Sequence, residues 1–206
     1  MGDRMISNYK DFKKYINGLE VKPKLLLHSC CAPCSSHTLS VLKDHFDITI
    51  FYSNDNIYPE EEFHTRALEQ KKLVEEMNLD VKVIVDDFNK ANYDQAVKGL
   101  ENLGERSIRC YECYKFRLEK TAKYAKEHSF DFFTTTLSIS PYKNSDWINE
   151  IGYSLAEKYG VKFLYSNFKK EEGYKDSIRL SHEYNLYRQD YCGCIYSLAE
   201  RKSHLE

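Results

Sequence analysis

Five short apolar runs rich in β-branched or aromatic residues punctuate the chain: residues 24–28 (KLLLH), 48–52 (ITIFY), 81–85 (VKVIV), 132–136 (FFTTT) and 161–165 (VKFLY). Such runs, bounded by polar segments, predict strands. Between them, apolar residues recur at helical spacing. The segment 59–78 opens with Pro59 and three glutamates, then carries Phe63, Ala67, Leu73, Val74 and Met77 toward a core. Proline and acidic side chains suit a helix N-terminus, where backbone N–H groups are unpaired and the dipole is positive. Further helices are predicted over 109–127 and 145–158. A short one is predicted over 35–43, with serines placed to cap it.

Strand and helix alternate five times, which argues for an α/β fold. The expected form is a three-layer arrangement in which a parallel sheet of about five strands has helices on both faces. No repeat, low-complexity tract or Pro/Gly-rich linker divides the chain. A single domain over 1–206 is expected, with an N-terminal helical extension at about 1–22. Ligand sites in such sheets lie at the carboxyl ends of the strands. The first run leads straight into Ser29-Cys30-Cys31-Ala32-Pro33-Cys34, so three sulfurs are expected on the loop after the first strand. The fourth run leads into LSISPYK at 137–143, which should form the same rim.

Cysteine usage sharpens this picture. All seven fall in three groups: Cys30, Cys31 and Cys34; Cys110 and Cys113; Cys192 and Cys194. Cysteines used as small core hydrophobes would scatter instead. A chain of 206 residues can bury roughly 70 % of its unfolded surface and needs no staples, and an odd count speaks against a disulfide framework. The N-terminus lacks a signal-like apolar core, and no run approaches the roughly 18 residues of a membrane span. A soluble cytoplasmic protein is expected, in a compartment that keeps thiols reduced.

The net charge of −2 does not advertise a polyanion partner, so any nucleic-acid contact must be local. Two basic segments qualify: Lys115, Arg117, Lys120, Lys123 and Lys126, and Lys169, Lys170, Lys175, Arg179 and Arg188. Taken alone, each reads as a solvated helix face.

Cys110 and Cys113 form Cys-x-x-Cys at a helix start, which puts both sulfurs on one face and favours thiolates. With Cys30 and Cys31 they offer four thiolates to a [4Fe-4S] cluster or, equally, to a tetrahedral zinc. A disulfide across Cys192-Gly193-Cys194 would close a small strained ring, as a labile redox pair requires. The same pair could share a second metal with Cys34 or complete a zinc knuckle. His28, at a strand end, reads as a hydrogen-bonded structural residue. Asp55, Asp86 and Asp87 follow strands and read first as caps. Tyr174, Tyr184, Tyr187 and Tyr191 alternate with Lys175, Arg179 and Arg188, a mixture that suits unstacked bases and RNA phosphates or, equally, a core edge.

Together, HSCCAPCSS, CYECYKFRL, TTLSISPYK and YRQDYCGCIYSL closely resemble the epoxyqueuosine reductases called QueH, over about residues 25–197. The resemblance implies reductive removal of the epoxide oxygen from epoxyqueuosine at the tRNA wobble position, the last step of queuosine synthesis. It also implies a HUP-type fold related to PP-loop enzymes, a [4Fe-4S] cluster and a second mononuclear iron. Carried onto this chain, the cluster ligands are Cys30, Cys31, Cys110 and Cys113, and Cys192 and Cys194 match the redox pair. Cys34 stands where some members place an aspartate near the second iron. The expected partners are tRNA carrying epoxyqueuosine and an unidentified electron donor, with no membrane. An open iron site is expected to polarise the epoxide oxygen while cluster and dithiol deliver two electrons. Lys143, Lys175 and Arg188 are expected on the anticodon backbone, with Tyr191 beside them. Two rivals frame the reading. A PP-loop nucleotide enzyme would need a glycine-rich phosphate cradle, which SCCAPCSS lacks. A zinc-stapled RNA-binding module would be colourless.

Overall fold

The computed structural model describes residues 6–203. Five strands, β1 (Lys24–His28), β2 (Asp47–Tyr52), β3 (Lys82–Val85), β4 (Phe132–Thr135) and β5 (Lys162–Phe163), pair in parallel in the order β3-β2-β1-β4-β5. Leu25 pairs with Ile48 on one side and Phe132 on the other, and His28 with Phe51 and Thr135. Leu25, Leu26 and Leu27 are fully buried, because a central parallel strand is covered on both faces and tolerates an unbroken apolar run. β5 is shorter than its apolar run. Past Phe163 the Leu164 N–H still donates to the Phe133 carbonyl, and side chains then take over: Thr134 Oγ1 donates to the Leu164 carbonyl, and the Ser166 N–H donates to Asn149 Oδ1.

Among the described residues eight α-helices surround the sheet: α1 (Tyr9–Asn17), α2 (Ala32–Leu42), α3 (Glu60–Glu76), α4 (Lys90–Ala96), α5 (Ile108–Glu127), α6 (Ser145–Tyr159), α7 (Gly173–Glu183) and α8 (Ile195–Ser203). Alternate strand residues feed two cores. Leu25, Leu27, Ile48 and Ile50 pack with Phe12, Leu39, Leu42 and Phe168, whereas Leu26, Phe51 and Phe133 pack with Leu118, Ala122, Ile148 and Leu155. The three-layer α/β expectation therefore holds.

Helices α4, α7 and α8 have no counterpart among the predicted elements, and the bounds of others move. The N-terminal helix is capped by Asn8, and its Phe12 and Ile16 are buried in the first core. The rest of that expected extension, residues 1–5, lies outside the described residues, as do 204–206. Helix α2 starts at Ala32 rather than at residue 35, because Pro33 suits a first helical turn. Its serines do not cap. Ser35 Oγ donates to the Cys31 carbonyl and Ser36 Oγ to that of Pro33. Helix α7 escapes apolar periodicity because its buried face is largely Gly173, Ser177 and Ser181. A Cβ on Gly173 would lie 2.0 Å from the Phe168 carbonyl oxygen, so this approach excludes any side chain.

From β1 the chain steps outward through β2 to β3, while β4 and β5 lie on the other side of β1. The loops after β1 and β4 thus diverge and leave a crevice at the switch point, the place where open α/β sheets bind ligands.

Candidate thiol-rich site

The platform for the site is the end of β1. His28 is fully buried, with Nδ1 2.8 Å from Thr135 Oγ1 and Nε2 3.2 Å from the Ser53 carbonyl. The carbonyl partner assigns the proton to Nε2. Burial, assisted by the Arg117 charge, pushes its pKa down to about 3, so the ring is neutral and structural. Ser29 Oγ donates to Gln70 Oε1 at 2.5 Å, and Asn54 Nδ2 donates to the Ser29 carbonyl at 2.8 Å. These buried bonds fix the turn that delivers the first sulfurs.

Cys31 is the N-cap of α2, and Cys34 sits in its first turn rather than on the loop. Cys30, Cys31 and Cys34 place their Sγ atoms within 4.8 Å of one another, so the trio can hold a metal ion. Cys30 and Cys31 Sγ are 3.8 Å apart, and Cys31 and Cys34 Sγ 2.8 Å. The three share protons. Hydrogen bonds from Cys31 and Cys34 hold the Cys30 pKa well below the usual thiol range, whereas Cys31 and Cys34 are pushed up by bonding to that thiolate.

Cys30 and Cys34 open into a cavity of about 460 Å³, and Cys110 and Cys192 line the same cavity. Cys110 lies in the first turn of α5 and Cys113 one turn on. Cys113 is buried against Cys194, Tyr93 and Val97, and the Ser197 N–H donates to Cys194 Sγ at 3.4 Å. Both Cys110 and Cys113 feel the charges of Cys192 and Cys194. The crevice is thus lined by one or more thiols of each group, Cys30 and Cys34, Cys110, and Cys192, while Cys31, Cys113 and Cys194 are buried off its lining. Burial pushes the Cys110 pKa up and that of Cys113 up to about 12, overriding the helix terminus. All seven cysteines are free thiols.

The C-terminal thiols sit on a segment held by side chains from distant elements. Arg66 Nη1 donates to the Cys192 carbonyl at 3.2 Å, and its guanidinium lies 5.2 Å from the centre of the Tyr191 ring. The Tyr58 N–H donates to the Gly193 carbonyl, and Tyr191 Oη donates to the Tyr58 carbonyl. Gly193 has φ +129°, and a Cβ there would lie 3.0 Å from Arg66 Nη1. Farther along, Arg109 is 3.5 Å from Glu200 and stacks over Tyr196.

Of the expected substrate contacts, Lys143, Arg188 and Tyr191 line the cavity. Lys143 is half-buried. Burial opposes its charge, but the facing Cys192, Cys30 and Cys34 outweigh that and raise its pKa. Arg188 Nη1 donates to Ser181 Oγ. Lys175 is exposed, pairs with Glu172 and lies off the cavity wall. Tyr174 joins the lining, whereas Tyr184 packs against the core and Tyr187 bonds to Glu62. The segment from Lys115 to Lys126 is not one solvated face: Arg117 is 2 % exposed, and Lys120 bridges Asp55 and Asp86. Arg66 and Asn54 had no sequence signal, and Arg117 stood out only as one of a basic run, since nothing local marks a polar side chain for burial.

A parallel α/β sheet whose switch point gathers a thiol trio in a crevice that Cys110 and Cys192 also line defines an α/β protein built around a polythiol centre. Comparison with known proteins agrees. The chain belongs to the family described as Epoxyqueuosine reductase QueH, whose sequence model matches residues 25–200. It is 43% identical over 181 residues to the Epoxyqueuosine reductase QueH of Streptococcus pyogenes, covering 86% of this chain and 71% of that one. The Staphylococcus aureus relative of the same description is 39% identical over 210 residues, covering 98% and 88%. That of Thermotoga maritima is 40% identical over 181 residues, covering 86% and 92%. Among solved structures, the U34-tRNA thiolase NcsA from Methanococcus maripaludis, with its [4Fe-4S] cluster, matches with a TM-score of 0.51 at 14% identity, over 95% of this chain and 70% of that one. That likeness supports the fold. Among the described residues no helix is long and apolar enough to cross a membrane.

Proposed function

We propose that this protein is an epoxyqueuosine reductase, which converts the epoxide of epoxyqueuosine at a tRNA wobble position to the alkene of queuosine. The carrying observation is the convergence of Cys30, Cys31 and Cys34 at the switch point, facing Cys110 and Cys192 across one crevice, in a chain of this family. The reaction consumes two electrons and two protons and releases the oxygen as water. Soft thiolates suit iron-sulfur chemistry, and four free thiols lining one crevice, with Cys31 within 4.8 Å of Cys30 and Cys34, fit such a cofactor.

In this reading Cys30, Cys31, Cys110 and Cys113 hold a [4Fe-4S] cluster, Cys34 serves a second iron, and Cys192 and Cys194 act as a dithiol beside them. The bound iron supplies single-electron transfer and a Lewis acid. The chain's own residues do the rest. The Lys143 ammonium, kept protonated by facing sulfurs, attracts the anionic substrate into the crevice. Tyr174 and Tyr191 line its wall and offer aromatic surface to a base taken out of the anticodon stack. The β1–α2 turn is filled by cysteine side chains, which leaves no glycine cradle for a nucleotide phosphate.

Anaerobic purification followed by an absorbance spectrum, iron and sulfide assay, and turnover of epoxyqueuosine-tRNA with a supplied reductant tests this directly. A brown, iron-containing protein that forms queuosine is expected. A colourless, zinc-loaded protein without turnover would sink the proposal.

A further inference from the structure

Arg117 is a fully buried cation with no carboxylate partner. It is 2 % exposed, and among the described residues it makes no ion pair with Asp or Glu. Its Nη2 donates to Asn54 Oδ1 at 2.5 Å, and its Nε is buried without a partner. A guanidinium taken out of water needs compensation, because an unpaired buried charge is strongly destabilising. The counter-charges available are sulfurs. Arg117 lies one helical turn after Cys113 on α5; Cys113 is its strongest electrostatic neighbour, followed by Cys30 and Cys192. Asn54 completes a bridge: its Oδ1 accepts from Arg117 while its Nδ2 donates to the carbonyl of Ser29, the residue before Cys30. One buried polar chain therefore runs from Arg117, a turn after the α5 thiols, through Asn54 to the loop of the thiol trio.

We infer that Arg117 is a positioning residue that serves as counter-ion to the thiol-bound centre and sets its reduction potential, with Asn54 locking that charge between the two thiol groups. This rests on the cofactor reading above. The physical basis is Coulombic. A fixed positive charge in a poorly screened interior stabilises whichever state carries more negative charge, here the reduced one, and so raises the potential.

The test is an anaerobic redox titration of the iron-loaded wild type, Arg117→Met, Arg117→Lys and Asn54→Asp, with iron per chain measured alongside. Arg117→Met, similar in bulk but neutral, is expected to shift the midpoint to more negative potential, with Arg117→Lys staying nearer the wild type. Asn54→Asp leaves Arg117 in place but supplies the missing carboxylate, and should shift the midpoint in the same direction. It decides the matter even if Arg117→Met fails to fold. Wild-type midpoints in Arg117→Met or Asn54→Asp at unchanged iron content would overturn the inference alone. A wild type that takes up no redox-active metal would remove the cofactor reading, and this inference with it.

Discussion

The two ends of the thiol site are built by different means. Cys30, Cys31 and Cys34 stand where β1 becomes α2, so a buried strand, a helix start and the Ser29–Gln70 and Asn54–Ser29 bonds set their positions. Cys192 and Cys194 follow no strand, and side chains from α3 and α5 pin their segment: Glu62, Arg66 and Glu69 from one, Arg109 from the other. For the trio, strand and helix backbone carry most of the placement, and Gln70 and Asn54 only brace the turn between them. Placement by reaching side chains makes the geometry depend on single residues far away in sequence.

The sharpest way to separate the two ends is to remove one sulfur from the trio. Cys31→Ser is expected to lose iron and to lower turnover of epoxyqueuosine-tRNA by at least about 100-fold, read by metal analysis and single-turnover assay. Next, Arg66→Ala strikes the other end. It leaves Glu62 without its buried partner and should reduce urea-unfolding stability by about 3–5 kcal/mol, with faster proteolysis around residues 187–203. If that segment stays protected, its placement by Arg66 is wrong.

A pH experiment probes the β1 platform. The folded pKa of His28, about 3, lies below the roughly 6.5 of a free histidine. The unfolded chain therefore binds a proton first as pH falls. Stability should be intact above about pH 6.5 and fall by up to about 1.4 kcal/mol per unit toward pH 3; a His28→Gln variant should lose that slope. The smallest effects concern the rim. Arg188→Glu should weaken tRNA binding roughly 10-fold at low salt and reduce the salt slope by about one. Lys175→Glu, off the cavity wall, should stay within about 2-fold; a loss as large as that of Arg188→Glu would extend the tRNA surface beyond the crevice.

The sheet was legible because its signal is local. KLLLH, ITIFY and FFTTT are too apolar for a surface and too short for buried helices, and each became the expected strand within a residue. The helix over Glu60–Glu76 was legible from its acidic first turn and spaced apolar residues. Helix α7 was not, because it buries serines and a glycine, and small polar residues carry no periodic apolar signal. At the site, grouping the cysteines was possible from spacing, but their partners were not. Cys113 packs beside Cys194, 81 positions on, and no periodicity reports such a pairing.

The sequence by itself determined the alternation of strand and helix, the trio at the end of β1 and the family to which its motifs belong, since each is written in adjacent residues. Only the tertiary structure decided which thiols line one crevice, that Cys34 rides on a helix, and that Arg66 and Arg117 are buried beside the thiol site. Those outcomes depend on which distant groups neutralise a charge once water is excluded, a quantity set by three-dimensional packing and absent from any local stretch of chain.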